Sequence, residues 1–409
     1  MSTVEVAFNP FDPSFGRDPY PQWAVLRDND PVHQTPIGFW LLLRYDDIHR
    51  FVRDPALSVE ERHASNALID AIMEQALGDR YAEFQDRGSR TMLNLDPPDH
   101  TRLRRLVNKA FTPRRIEQLR PRIQQLVDEA LDRVEAEGRL EVIGDLAFPL
   151  PFAVISEMLG MPDTDSVQLR EWSGTLVRGL EPIVDPELIN AIADAGDNMR
   201  NLCSEAIAWK RQNPADDLLT AMIAAEEAGD MLTDEELIEQ VMLLYIAGHE
   251  TTVNLIGNGT LALLRNPDQL RRLVEDPSLD VNAIEELLRY DPPVQMTRRI
   301  TLQDVEVGGK TIGAGTFVAC VIASANRDPA HWGPDADRLD LSRPNANHHL
   351  SFGGGAHYCL GAALARLEAQ VAIGTLIRRF PGLELAGEPE WNGRMNLRGR
   401  ANVPAVWSS

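Results

Sequence analysis

Apolar residues recur at helical spacing through IEQLRPRIQQLVDEALDRV and AVISEMLGM. Between about residues 100 and 240 this rhythm, cut by proline-containing breaks, predicts a mostly helical region. Thr233 followed by Glu236 makes a capping box, and the apolar pattern then runs on to Leu264, just before Asn266-Pro267, which predicts one long helix. At ~1.5 Å per residue such a helix spans about a domain diameter, so it is expected to pass through the core, and any polar residue in its middle needs a reason. A shorter helix is predicted from Val281 to Tyr290, stopped by Asp291-Pro292-Pro293, and a last one from near Cys359 to about Phe380. Two stretches read differently. WLLLRYDDI, up to about Asp54, suggests a small sheet joined to a helix, and DVEVGGKTIGAGTFVACVIAS reads as short strands broken at glycine turns. The expected fold class is mostly α with a minor β region (α+β). With no repeat or linker in the chain, residues 1–409 are expected to form a single domain.

At 44% hydrophobic and 25% charged, the 409-residue chain belongs with ordinary globular proteins and not with disordered or fibrous ones. Its net charge of −22 repels phosphate backbones and anionic lipid, so no nucleic-acid partner is expected. Cys203, Cys320 and Cys359 lie too far apart for a disulfide framework or a clustered zinc site, which suits a reducing compartment. The first residues, MSTVEVAFNPFDPSFGRDPYPQW, carry prolines and acids where a signal peptide would be basic and then apolar. The most apolar segment, VMLLYIAG at 241–248, runs into His249 and Glu250, short of the ~20 residues of a membrane span. A soluble, cytoplasmic protein without a membrane partner is expected.

The chemistry concentrates in Phe352-Gly-Gly-Gly355-Ala-His357-Tyr-Cys359-Leu-Gly361, where a glycine-rich turn delivers one cysteine to a predicted helix N-terminus. Glycines let the backbone approach the sulfur, helix-start N–H groups stabilise negative charge, and a soft metal would bind a thiolate held in this way. A lone cysteine is more often a small buried hydrophobe; the surrounding pattern argues against that here. FGGGAHYCLG resembles the haem-binding loop of the cytochrome P450 family, whose pattern is Phe, two spacers, Gly, spacer, His or Arg, spacer, Cys, spacer, Gly. Further motifs of that family occur in the right order, and the resemblance runs from DPPDH at 96–100 through the C-terminal helix.

The resemblance implies a cytochrome P450 fold, a long central helix over haem b, and Cys359 as the axial thiolate ligand of the iron, with Phe352, Gly353 and Gly361 shaping its loop. Ala247-Gly248-His249-Glu250-Thr251-Thr252, mid-way along the long helix, is similar to the family's oxygen-activation motif. There Ala247 would leave room for dioxygen, and Glu250 and Thr251 would be the catalytic pair, the acid bringing protons from solvent and the alcohol hydrogen-bonding the bound oxygen. His249 and Thr252 take no assigned role. Glu286 and Arg289 match the family's ExxR pair, a structural support for the Cys loop expected to include Arg338. His100 and Arg104, one helical turn apart, Arg299 by its offset from Asp304, and His357 match the family's haem-propionate partners, because buried carboxylates need cations or donors. Arg298 competes with Arg299, and His349 is a weaker candidate.

Such an oxygenase takes two electrons from elsewhere, and the chain has no dinucleotide fingerprint, flavin segment or CxxC cluster. A separate reductase system is implied, with an acidic ferredoxin as donor. Between His100 and Gln124 the bases Arg102, Arg104, Arg105, Lys109, Arg114, Arg115, Arg120 and Arg122 face only Glu117. Arg102, Arg105 and Lys109 are therefore candidates for steering that partner. Positions carried over to the substrate wall are Leu93, Asn94, Leu244, Ala247, Val294, Gln295 and Met296. They are mostly apolar, which favours a hydrophobic small molecule that is hydroxylated or epoxidised, with the segment 172–201 as a lid and, by analogy, a monomeric enzyme. The alternatives are a peroxide-driven peroxygenase and a non-catalytic haem sensor or carrier. Peroxide already carries the electrons and protons that a Glu250-Thr251 relay would manage, and the pair would be idle in a sensor.

Overall fold

The runs WLLL and FVACV are apolar at every position because both faces of the sheet they enter are covered. Strands β1 (Val32–Gln34), β2 (Trp40–Leu42), β3 (Leu57–Ser58), β4 (Thr297–Thr301) and β5 (Phe317–Cys320) lie in the order β1-β2-β5-β4-β3. β2 and β5 run parallel, Trp40 opposite Val318 and Leu42 opposite Cys320, and the other pairs are antiparallel. Successive side chains leave a strand on opposite faces. Leu42, Val318 and Cys320 accordingly pack with Ile48, Phe51 and Trp332, while Leu41, Leu43, Ala319 and Val321 pack with Phe15, Trp23 and Leu26.

The computed structural model describes residues 8–9, 13–36, 38–65, 67–88, 90–161, 166–181, 185–227 and 230–407. Their contacts group into two compact units, one made of residues 1–58, 120–150 and 251–409, the other of 59–119 and 151–250. Neither unit is a contiguous segment, so the pattern that suggested one domain gave no cut in the sequence at which to divide it. The helices that carry the candidate residues are α1 (Asp99–Ala110), α2 (Arg120–Val134), α3 (Pro186–Gln212), α4 (Asp234–Leu264), α5 (Asp280–Tyr290) and α6 (Ala362–Arg379). The sheet, α2, α5 and α6 belong to the first unit, where α2 and α6 are joined by a Gln124 Nε2 to Thr375 Oγ1 bond of 3.1 Å. α1 and α3 belong to the second, and α4 passes from the second to the first between Glu250 and Thr251.

The capping box is present as expected. Thr233 N–H donates to Glu236 Oε2 at 2.9 Å and Glu236 N–H to Thr233 Oγ1 at 3.2 Å, so two donors at the helix start are satisfied reciprocally. α4 then runs unbroken for 31 residues. Two readings differ from the structure. The last helix begins at Ala362, so Cys359 lies in the loop before it. Ile322–Ala325, read as the end of a strand, is a helical turn with Ala325 N–H bonded to the Val321 carbonyl at 3.1 Å; a short apolar run does not distinguish the two. Among the described residues one helical stretch, Val142–Leu159, with a mean hydropathy of 1.6, is long and apolar enough to cross a membrane by length and composition. Half of it is buried inside the fold, and it includes a π-helical turn at Val142–Ala147. Of the segment expected as a lid, residues 182–184 lie outside the described residues and 186–201 form the first half of α3.

Candidate active site

The Cys359 loop is built on glycine. Gly353 and Gly355 have φ of +71° and +65°, a left-handed conformation that side chains resist. A Cβ on Gly355 would stand 2.9 Å from the Val52 carbonyl oxygen, and one on Gly354 equally close to the Val52 side chain. The loop therefore lies directly on the backbone that follows the helical segment Tyr45–Phe51, and Cys359 N–H closes it onto the Phe352 carbonyl at 2.9 Å. Cys359 is exposed, whereas burial pushes the Cys203 and Cys320 thiols up to about 12. Of the three cysteines it alone is placed to act as a ligand. Arg299, 4% exposed, donates to the same Val52 carbonyl at 2.7 Å and to the Arg298 carbonyl at 2.7 Å. Its competitor Arg298 points to the other side of β4 and is less buried. A thiol on a loop free of side-chain bulk, with a buried guanidinium meeting that loop at one carbonyl, suits a soft metal carried by an anionic macrocycle. His357 is half-buried in the turn Gly355–His357.

Two carboxylates on α5 support this loop. Glu286 and Arg289, both fully buried, form a two-bond pair, Nε to Oε2 at 2.7 Å and Nη2 to Oε1 at 2.8 Å. Arg289 also donates to the carbonyls of Asn326, Ala336 and Arg338. The expectation for Arg338 is corrected here. Its carbonyl joins the network, but the cation that reaches Glu286 is Arg343, at 3.3 Å. Ala336, Leu339 and Leu341 take the buried positions of that segment and leave the Arg338 side chain exposed. Asn326 continues the network to the loop, accepting from Leu350 N–H at 2.8 Å and donating to Ser351 Oγ at 2.9 Å.

Glu285, the neighbour of Glu286, carries a second network that no motif signalled. Burial would raise its pKa, yet bonds from His349 and Arg366 hold it at about 2. His349 Nδ1 accepts from Ser351 N–H at 3.1 Å, so its Nε2 donates to Glu285, at 3.0 Å. His349 therefore supports the loop, and its expected place lining the cofactor site is not what the structure shows. Arg366, bonded to both Glu285 oxygens, lays its guanidinium 4.5 Å from the centre of the Phe352 ring. A glutamate beside the ExxR glutamate and an arginine seven residues past the cysteine were visible in the sequence. Their pairing depends on packing between α5 and α6.

Along α4 the helical period sorts the oxygen-motif residues. Ala247, Glu250 and Thr251, at i, i+3 and i+4, share one face and are exposed or half-buried. His249 is fully buried, with the Phe152 ring edge-on at 5.7 Å, and Thr252 is buried toward Glu368. Glu368, 1% exposed, is held well above the ordinary carboxylate range by burial, against the smaller pull of Thr252. His249 and Thr252 thus belong to the core. On α1, His100 is 3% exposed and its pKa is lowered by burial and by Arg104, one turn away.

Other expected positions divide. Leu93 is exposed, Asn94 half-buried, and Leu244 buried at the inner edge of the stripe that leads to Ala247. Val294 bridges Leu397. Gln295 is 1% exposed and its amide donates to the Pro292 carbonyl at 2.7 Å, while Met296 packs against the cluster that includes Phe15 and Trp23. Both side chains thus make contacts within the fold. Arg102 bonds Glu236 and, at 3.3 Å, Asp230; Arg105 and Lys109 are exposed.

Comparison with known proteins agrees with this geometry. The model of the family described as cytochrome P450 matches residues 186–278 and 279–392. This chain belongs to the cytochrome P450 family. It is 44% identical to cytochrome P450 107B1 of Saccharopolyspora erythraea over 99% of both chains, and 44% identical to the vitamin D(3) 25-hydroxylase of Pseudonocardia autotrophica over 97% of this chain and 95% of that one. The crystal structure of the myxobacterial cytochrome P450 CYP267B1 in complex with myristic acid superposes with a TM-score of 0.87 at 41% identity, over 98% of each chain. The P450 fold read from the Cys359 loop is thereby established, and this P450 is an oxidoreductase whose cofactor is haem b.

Proposed function

We propose that this P450 is a monooxygenase that inserts one oxygen atom of dioxygen into a hydrophobic small molecule, with electrons from a separate ferredoxin and its reductase, and that it works as a cytoplasmic monomer. Bound haem b supplies the iron centre at which dioxygen is activated. Cys359 would hold that iron, while Arg299, His357, His100 and Arg104 would pair with the propionates. The observation that carries the reading is the Cys359 loop itself, which bears an exposed thiol and rests, at Gly355, on the Val52 carbonyl to which buried Arg299 donates. Glu250 and Thr251 share a face of α4 with Ala247, where the carboxylate can exchange protons with water and the hydroxyl can pass them on. Leu93, Asn94, Leu244 and Ala247 would face the substrate. The apolar members of that set, and the vitamin D(3) and myristic acid in the names of two relatives, favour an extended apolar molecule. Arg105 and Lys109 remain the candidates for meeting an acidic ferredoxin.

The absorption spectrum of the reduced carbon-monoxide complex tests the ligand assignment. The expected result is a strongly red-shifted Soret band that is lost in Cys359→Ser. A band typical of a neutral ligand in the unaltered protein would overturn it.

A further inference from the structure

Gln240 lies on α4 about two turns before Ala247, fully buried. Its Oε1 accepts from Met92 N–H at 3.1 Å and its Nε2 donates to the Arg90 carbonyl at 3.2 Å. One side-chain amide thus pairs with a stretch of main chain as a neighbouring strand would, with the acceptor facing the donor and the donor facing the acceptor. The segment it holds is a tight turn, closed by Asn94 N–H on the Thr91 carbonyl at 3.0 Å, and it presents Leu93, 48% exposed, at its tip. Met92, at the point of attachment, is 5% exposed. The Arg90 side chain reaches Glu235 on the same helix at 3.7 Å, so the turn meets α4 twice.

Positions 240, 244, 247 and 251 fall at i, i+4, i+7 and i+11, one stripe of an α-helix. The tether, the Leu244 side chain, Ala247 and the Thr251 hydroxyl therefore follow one another along a single line. We infer that Gln240 is a positioning residue for substrate: it hangs the turn Thr91–Asn94 on α4 and so fixes where Leu93 and Asn94 stand relative to Leu244 and Ala247. The inference rests on the monooxygenase reading above and adds to it a residue that fixes ligand fit without touching the ligand. A buried Met92 N–H and Arg90 carbonyl lose their partners together when the amide is removed, so the turn has to open to water.

The test uses the haem-loaded full chain and two probes of the same iron-binding nitrogen, imidazole and phenylimidazole, the second adding an apolar ring that needs a wall. In Gln240→Leu, hydrogen–deuterium exchange in residues 90–94 rises about tenfold and the Kd for phenylimidazole rises about tenfold, with imidazole binding and the reduced carbon-monoxide band unchanged. Gln240→Glu keeps an acceptor for Met92 but loses the donor to Arg90. It gives an intermediate shift, and decides the question should the leucine variant not retain haem. Unchanged exchange, or faster exchange with phenylimidazole affinity unaltered or weakened only in step with imidazole, overturns the proposal. A parent protein whose spectrum does not respond to imidazole fails at the haem reading and takes the proposal down with it.

Discussion

The surroundings of the Cys359 loop and the first turns of α4 are both rich in charge, and they use it in opposite ways. Around the loop, Glu286, Arg289 and Arg343 are at most 5% exposed, and the bonds to carbonyls and N–H groups described above satisfy the groups that burial strips of water. At the start of α4, Arg90, Arg102 and Arg211 meet Glu235, Glu236 and Asp234 with side chains between 19% and 69% exposed. Arg200 with Glu239 is the buried exception. A buried, fully bonded network is costly to break at any one member, while partly solvated pairs each contribute little and are screened by salt. The Cys359 loop is thus fixed in one geometry, whereas the ion pairs at the start of α4 are contacts that can be exchanged.

The largest expected effect is at Arg289. Arg289→Ala leaves Glu286 buried beside one remaining cation and should cost about 3–5 kcal/mol in denaturant unfolding, with loss of haem content. Retained stability within about 1 kcal/mol would dissolve the contrast between the regions. Next comes acid. Glu285 sits below its unfolded pKa, so the stability it gives is full above about pH 4.5 and is lost as pH falls toward 2, about 3 kcal/mol in all. His349, pushed down chiefly by burial, adds a loss that begins as pH falls below about 6.5. Denaturant midpoints should therefore decline between pH 5 and 2, and less steeply over that range in Glu285→Gln. The smallest effect is at Arg102→Ala, where under about 1 kcal/mol is expected, shrinking further in 1 M salt. A larger, salt-independent loss would place Arg102 with the buried class.

What the sequence made legible follows the same division. Thr233 with Glu236, Glu286 with Arg289, and the glycines before Cys359 are local patterns whose spacing dictates geometry within one turn or loop, and the structure has each of them. Partners supplied from elsewhere were harder to see. Arg338 and Arg343 sit five residues apart in one loop, and only the burial of Leu339 and Leu341 decides which turns inward. By resemblance Gln295 and Met296 fall on the substrate wall, yet the Gln295 bond to Pro292 and the packing of Met296 on the cluster around Trp23 show contacts that the motif did not signal. Glu285 and Gln240 belong to no spacing rule at all, since what they bind lies 64 and about 150 residues away.

The carbonyl of Val52 gives the assembly of this site an order in time. It accepts from Arg299, 247 residues further along the chain, and it is the surface on which Gly355 rests. During synthesis that oxygen leaves the ribosome long before the residues it serves. The Cys359 loop therefore finds its seat only when nearly all of the polypeptide has emerged, and this part of the unit closes late and not as a nucleus.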